Sequence, residues 1–156
     1  MAAAPPAIRR AVLTDLPAIV DLHALLVSNE RREGYDPDAD PRWSRSIEAR
    51  RYFEKRVSGD EGIALVAVHE AMVVGYLLGG PRPGASPAVG LESVFVAPAS
   101  RRLGAATALV RAFLEWCDAS SLRPITVAVA PANAGAVRLY EALGFAPRTL
   151  ILERRG

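Results

Sequence analysis

The second half of the chain alternates segments typical of strands with segments typical of helices. Apolar runs at residues 89–96, 125–130 and 149–152 predict strands. The segments between them, residues 101–118 and 133–143, have helical periodicity. Strands joined through a helix pair in parallel, because the helix returns the chain across the sheet. This alternation predicts an α/β fold with a partly parallel sheet.

The first half predicts a different arrangement of strands and helices. Residues 8–13 form a predicted strand, followed by a helix that Thr14 or Asp15 would cap. The polar segment 28–43 predicts a long loop, and residues 46–57 a second helix. Residues 63–68 and 72–78 predict an antiparallel hairpin that turns near His69. The complete sheet is therefore predicted to be mixed, with about six strands and helices on both faces.

Composition limits what such a fold can be. With 156 residues, 51% hydrophobic and 23% charged, the chain predicts one globular domain over residues 7–156 after a flexible tail at residues 1–6. Cys117 is the only cysteine, which excludes a disulfide framework and suits a reducing compartment. One cysteine and two isolated histidines lack metal-ligand spacing, so we expect no metal.

The charges argue against two classes of partner. Nineteen basic and seventeen acidic residues leave a formal charge of +2, and the two signs are mixed along the chain. A nucleic-acid binder usually concentrates positive charge on one face. No apolar run approaches the ~20 residues of a membrane span. We therefore expect a cytoplasmic protein that binds neither nucleic acid nor membrane.

A strand that runs into a helix marks the first candidate site. The segment 94–107 passes from an apolar strand through Arg101, Arg102 and Gly104 into a helix. The first turn of a helix has unpaired N–H groups and partial positive charge, so it can hold a phosphate or pyrophosphate. The alternative is a solvated arginine pair beside a glycine that tolerates helix packing. Neither the dinucleotide fingerprint nor a P-loop is present.

A second junction of the same kind follows at Asn133. This residue is placed to cap the helix 133–143, and Gly144 to end it. Asn133, Ala136 and Tyr140 lie on one face at helical spacing.

The two motifs are Arg101-x-x-Gly104-x-Ala106 and Asn133-x-x-Ala136-x-x-Leu139-Tyr140-x-x-x-Gly144-Phe145. Both closely resemble the acyl-CoA-binding motifs of the GCN5-related N-acetyltransferase (GNAT) superfamily, and residues 8–17 resemble its opening strand and helix. The resemblance implies direct transfer of an acetyl group from acetyl-CoA, as co-substrate, to a primary amine of a small molecule or peptide. The alternative is a non-catalytic acyl-CoA-binding sensor or regulatory module.

The same resemblance implies roles for individual residues. Tyr140 would act as general acid toward the departing thiolate. Glu92 would be the base that deprotonates the amine, or else an ordinary charge at a strand start. Ala128 stands where some N-terminal acetyltransferases have a glutamate, which disfavours that acceptor. The implied cofactor-binding residues are Val94, Phe95, Val96, Arg101, Arg102, Leu103, Gly104, Ala105, Ala106, Thr107, Asn133 and Tyr140.

The acceptor side is less defined by the sequence. Four acidic residues, Glu33, Asp36, Asp38 and Asp40, indicate either a cationic acceptor or a solvated loop. His23 is expected in the core or on the wall of a pocket, and Cys117 as a packed apolar side chain. Eleven residues follow Phe145, enough for one final strand where the superfamily usually has two. A neighbouring subunit could complete the site, which makes a homodimer possible.

Overall fold

A computed structural model describes residues 3–84 and 87–156 of the chain. Two residues of the predicted tail, Met1 and Ala2, lie outside the described residues, as do Ala85 and Ser86 of the turn that follows the hairpin. The strands are β1 Ala7–Arg10, β2 Ile63–His69, β3 Met72–Pro81, β4 Val89–Val96 and β5 Ile125–Val127. The α-helices are α1 Leu16–Glu33, α2 Ile47–Ser58, α3 Ala105–Ala119 and α4 Ala134–Ala142.

The sheet is mixed and partly parallel, as the alternation predicts. Its strand order is β1-β2-β3-β4-β5, with antiparallel pairs up to β4 and a parallel pair between β4 and β5. The β2–β3 hairpin turns at Glu70 and Ala71, whose φ angles of 50° and 62° suit a two-residue turn. The predicted hairpin is confirmed, while the sheet has five strands where about six were predicted.

The predicted last strand, residues 149–152, is the missing sixth. These residues are not part of the sheet in the described structure. Leu150, Ile151 and Leu152 are 72%, 82% and 84% exposed, so no neighbouring strand covers them. Their side chains favour a strand, but a strand also needs a partner to pair its backbone.

Two predicted helix boundaries are also wrong. Helix α1 continues to Glu33, so the predicted loop 28–43 shortens. It ends where Gly34 takes a φ of 74°, the left-handed conformation that glycine adopts without strain. Helix α3 begins at Ala105 instead of Arg101, because Arg102 and Gly104 have φ angles of 67° and 76° that interrupt a helix.

The helices cover both faces of the sheet, and two apolar clusters fill the space between. Alternate residues of β2 divide between them, with Leu65 on the side of α3 and Val66 on the side of α1 and α2. Gly79 allows α3 to approach closely, because a Cβ at Gly79 would collide with the ring of Phe113. Phe113 is fully buried. This packing fixes the start of α3 beside the end of β4.

Candidate functional site

The parallel pairing of β4 and β5 stops after three residues. The last pair joins Leu91 to Val127. Strand β4 continues to Val96 and pairs only with β3 there, which leaves its other edge open. The chain after Val127 diverges, and a cleft of about 920 Å³ opens between the two segments. The β4 and β5 segments are therefore paired at one end of the sheet and separated at the other.

The predicted site residues converge on this cleft. Leu103 is the one predicted site residue that does not line it. The others are Glu92, Val94, Phe95, Val96, Arg101, Arg102, Gly104, Ala105, Ala106, Thr107, Asn133 and Tyr140. Ala128 and His23 also lie on its walls. One continuous surface thus joins the open edge of β4 to the starts of α3 and α4.

The N-terminus of α3 presents donors that nothing in the helix satisfies. Gly104 is the N-cap residue, and no side chain caps the helix. The first helical bond runs from the Ala108 N–H to the Gly104 carbonyl, at 3.0 Å. The N–H groups of Ala105, Ala106 and Thr107 precede it and lie at the positive end of the helix dipole. This end of the cleft is therefore suited to an anion.

The two arginines beside Gly104 differ in their contacts. The Arg101 Nε donates to the Val96 carbonyl at 3.2 Å, and its guanidinium lies 5.3 Å from the centre of the Phe95 ring. These contacts hold Arg101 against the end of β4. Arg102 is exposed at the cleft and is the arginine more free to reach a ligand.

Asn133 and Tyr140 occupy the opposite wall on α4. Asn133 caps the helix as predicted, with its Oδ1 accepting from the Ala136 N–H at 3.3 Å. Its side-chain NH₂ group is not needed for this bond. Tyr140 is 7% exposed, and its ring packs edge-to-face on Phe145. Burial, and secondarily the Glu30 carboxylate, raise the pKa of Tyr140 to about 12. Its hydroxyl is therefore protonated at neutral pH.

Glu92 holds two partners that the sequence does not reveal. Its Oε1 accepts from the Arg56 Nε at 2.6 Å, and its Oε2 accepts from the Arg56 Nη2 at 3.0 Å and from the Tyr52 hydroxyl at 2.5 Å. Gly80 leaves room for this cluster, since a Cβ there would lie 2.6 Å from the Glu92 Oε1. The contacts tie α2 to β4. The role of Glu92 as catalytic base stays a prediction.

Glu92→Gln should lower the free energy of unfolding by about 2–3 kcal/mol, because a buried guanidinium loses its counter-charge. The Arg56 side chain is only 9% exposed. Without Glu92, the Glu61 carbonyl is its remaining hydrogen-bond acceptor, and the nearest carboxylate is that of Glu61 at 4.0 Å. Urea denaturation measures the change. Glu54→Gln is the control, since its ion pair with Arg50 is exposed and should contribute less than about 1 kcal/mol. Equal small losses in both variants would contradict a structural role for Glu92.

His23 lies on the cleft wall among aromatic rings. Its Nδ1 is 2.7 Å from the Ser44 Oγ, and the rings of Trp43, Phe53 and Tyr76 surround it. Burial lowers the pKa of His23 to about 4, so the ring is neutral at pH 7. This agrees with the interpretation of His23 as a core or wall residue.

The depressed pKa of His23 predicts a loss of stability in mild acid. In the unfolded chain His23 has a pKa of about 6.5, so it becomes protonated as the pH falls below that value. In the folded protein it stays neutral until about pH 4. Between these two pH values the unfolded state binds the extra proton, and the free energy of unfolding therefore decreases. Over this difference of about 2.5 pKa units, the loss of unfolding free energy from His23 is at most about 3.4 kcal/mol. Chemical denaturation at pH 7, 5.5 and 4.5 should show this slope in the wild type and a flatter one in His23→Gln. If the free energy of unfolding fell with pH equally steeply in the wild type and in His23→Gln, the prediction would be contradicted.

Of the four acidic residues that indicated either a cationic acceptor or a solvated loop, one reaches the cleft. Asp36 lines it. Asp38 pairs instead with Arg155, and Asp40 pairs with Arg42. Glu33 lies beside Arg32 and is also away from the cleft wall. Two carboxylates that the sequence analysis missed, Glu30 and Glu153, line this end of the cleft.

Cys117 belongs to the apolar core and does not line the cleft. Cys117 is buried in the core cluster, and burial raises the pKa of its thiol to about 11. It is packed as an apolar side chain.

Over residues 3–84 and 87–156, no group of three His, Cys, Asp or Glu side chains could hold a metal ion. None of the described helices is long and apolar enough to cross a membrane.

The fold and the cleft define a class of α/β proteins in which a splayed sheet edge leads to an uncapped helix start. The Acetyltransferase (GNAT) family matches residues 27–145. Since this is most of its length, the chain belongs to that family. The membership confirms the superfamily that the two motifs predict. Acetyl transfer is the general activity that it supports.

Solved structures agree with this assignment. A ribosomal-protein-alanine N-acetyltransferase from Brucella melitensis is 26% identical, with a TM-score of 0.73 over 88% of this chain and 83% of that one. Aminoglycoside N-acetyltransferase AAC(6')-Iy in complex with CoA is 21% identical, with a TM-score of 0.71 over 99% and 97% of the two chains. A tetramutant of the BH1408 protein from Bacillus halodurans is 20% identical, with a TM-score of 0.75 over 96% and 99%. No curated protein sequence matches the chain significantly.

Proposed function

We propose that this protein transfers an acetyl group from acetyl-CoA to a primary amine, with both substrates bound together. The observation that carries the proposal is one cleft that joins the open edge of β4, the uncapped start of α3 and the hydroxyl-bearing ring of Tyr140. A long ligand with an anionic end and a reactive end fits that order. The CoA complex of a structural neighbour supports the same ligand class.

The cofactor would bind mainly through backbone groups. The pantetheine amides would pair with the free edge of β4 at Val94, Phe95 and Val96, as an added strand does. The pyrophosphate would accept from the N–H groups at the start of α3. Gly104 would let it approach, because the residue has no Cβ. The Asn133 amide would contact the cofactor from the opposite wall.

The reaction requires a neutral amine and a good leaving group. The amine nitrogen attacks the thioester carbonyl, forming the C–N bond, and the C–S bond then breaks with its electron pair leaving on sulfur. Tyr140 would donate its proton to that sulfur. As the amide forms, the attacking nitrogen loses one proton, and this proton would pass to the Tyr140 oxygen and restore its hydroxyl. Most of the rate would come from positioning and electrostatics.

The proposal is tested by coenzyme A release. The full chain with acetyl-CoA is assayed against a polyamine, an aminoglycoside and a peptide with a free N-terminus, and calorimetry measures acetyl-CoA binding separately. Amine-dependent release of coenzyme A is expected with at least one acceptor class. Acetyl-CoA binding without release against the whole panel would favour the non-catalytic sensor or regulatory module.

A further inference from the structure

We propose that Glu30 binds the ammonium group of the acceptor and removes its proton. The inference rests on the proposed function and adds a catalytic residue to it. Glu30 lies in the last turn of α1, and it lines the same cleft as Tyr140 on α4. The thioester would therefore lie between a carboxylate on one wall and a hydroxyl on the other.

The end of α1 is built to hold Glu30 at the cleft. The Glu30 carbonyl accepts from the N–H groups of Tyr35 and Asp36, at 2.8 and 3.2 Å. Gly34 makes this turn possible, with its φ of 74°. The turn also brings Asp36 to the cleft wall. Two carboxylates from one helix end thus face the acceptor side.

Among the described carboxylates considered for the acceptor, Glu30 and Asp36 are the two without an ionic partner, and Asp36 already accepts from the Asp38 N–H at 3.2 Å. Asp38 and Asp40 are paired with arginines, and Glu92 is held by Arg56. Within the parts of the chain that the structure describes, Glu30 makes neither an ion pair nor a side-chain hydrogen bond. Burial, and secondarily the charge of Asp36, raise the pKa of Glu30 above its usual range. A half-buried carboxylate without a cation is suited to accept a proton.

A hydroxyl on the cleft wall also indicates a polar ligand. The buried Ser93 Oγ lines the cleft and has no hydrogen-bond partner of acceptable geometry among the described groups. Its neighbour is the Tyr76 hydroxyl, which is fully buried behind the wall and does not itself line the cleft. Buried hydroxyls are normally paired, so a polar ligand atom at the wall would satisfy Ser93.

Other ionisable groups share this environment and enter any pH profile. They come from α1, the turn after it, β3, β4, the loop before α3, α4 and the C-terminal segment. They are His23, Tyr35, Asp36, Tyr76, Glu92, Arg101, Arg102, Tyr140 and Glu153. His23 is neutral at pH 7, and the tyrosines with raised pKa values, Tyr76 and Tyr140, stay protonated. Glu92 and Glu153 pair with Arg56 and Arg155, so the unpaired negative charge at this end of the cleft comes from Glu30 and Asp36.

The proton that the ammonium group loses in this step passes through Glu30 to solvent. An alkyl ammonium with a pKa near that of lysine, about 10.4, is almost wholly protonated at pH 7 and has no free electron pair. Its first proton would pass to the Glu30 carboxylate, and the neutral amine would then attack the thioester. The protonated Glu30 would release its proton to solvent through the open side of the cleft. The net products are amide, coenzyme A and one proton.

The test compares kcat/KM at two pH values for Glu30→Gln and wild type, with the most active amine of the panel. At pH 7 we expect a loss of about 10–100-fold, toward the lower end of general-base effects. At pH 9.5 the ratio of the wild-type kcat/KM to that of Glu30→Gln should be several-fold smaller than at pH 7, because more of the amine is already neutral. The affinity for acetyl-CoA should not change. Glu30→Asp, which keeps a carboxylate, should recover part of the rate.

Glu115→Gln provides the charge-matched control, because Glu115 is exposed on α3 and lies outside the cleft. Its kcat/KM should equal that of the wild type at both pH values. A Glu30→Gln variant with full activity at pH 7, or with the same loss at both pH values, would overturn the inference. A wild type that binds acetyl-CoA but acetylates no amine would instead overturn the proposed function itself.

Discussion

Gly104→Glu is expected to weaken acetyl-CoA binding by about 100-fold or more, equivalent to about 2.7 kcal/mol. The substitution places a carboxylate at the N-cap of α3, where the pyrophosphate would accept from the helix N–H groups. No other atom lies within 4 Å of a Cβ at Gly104, so the new side chain extends into open space at the cleft. Isothermal calorimetry measures the affinity directly.

Gly104→Gln separates charge from backbone strain. Both variants put a Cβ on a residue with a φ of 76°, which costs about 1–2 kcal/mol of stability in each. The glutamine has nearly the same size and no charge. We expect the glutamate variant to bind less tightly than the glutamine variant, and the gap to narrow as salt is added. Equal affinities would rule out the electrostatic account, and undiminished affinity in both would place the phosphates elsewhere.

Tyr140→Phe should lower kcat by about 10²–10⁴-fold, the range typical of a general acid. The substitution removes one oxygen and keeps the ring that packs on Phe145. The melting temperature and the affinity for acetyl-CoA should therefore change little. Steady-state kinetics, thermal denaturation and calorimetry on the same preparation separate these quantities.

The raised pKa of Tyr140 also predicts how the wild-type rate depends on pH. With a pKa of about 12, the hydroxyl keeps its proton throughout the range in which the amine becomes neutral. The wild-type rate should therefore show no decline from Tyr140 ionisation below about pH 11. A Tyr140→Phe variant with full kcat would disprove the acid role. A variant that lost stability instead would show that the hydroxyl makes a structural hydrogen bond.

Much of the cofactor side could be predicted from the sequence because its signals are local. Asn133 caps α4 through a bond to Ala136, and Gly144 ends the helix with a φ of 93°. Both depend on residues within a few positions of each other. The strand-to-helix junction at Gly104 is local in the same sense, although the exact start of α3 depends on the left-handed conformation of Arg102, which nothing in the sequence pattern signals.

The acceptor side was only partly predictable, because its contacts join distant parts of the chain. The sequence left Asp38 either facing a cationic acceptor or solvated, and the structure pairs it with Arg155, 117 positions away. Glu92 meets Tyr52 and Arg56, which lie 40 and 36 positions away. Neither pattern has a short-range signal. Glu92 meets its partners only when α2 packs on the sheet, and Asp38 meets Arg155 only when the C-terminal segment folds back beside the turn after α1.

The sequence by itself determined the order of most elements, the hairpin, the cap of α4 and the family. Periodicity, capping and turn chemistry act over a few residues, so they can be read directly from the chain. Only the tertiary structure decided where β5 stops pairing, which leaves residues 149–152 without a place in the sheet. It also decided that Glu30 faces the cleft of Tyr140. Strand pairing and side-chain proximity across a cleft depend on partners far along the chain, and they exist only once those partners have packed together.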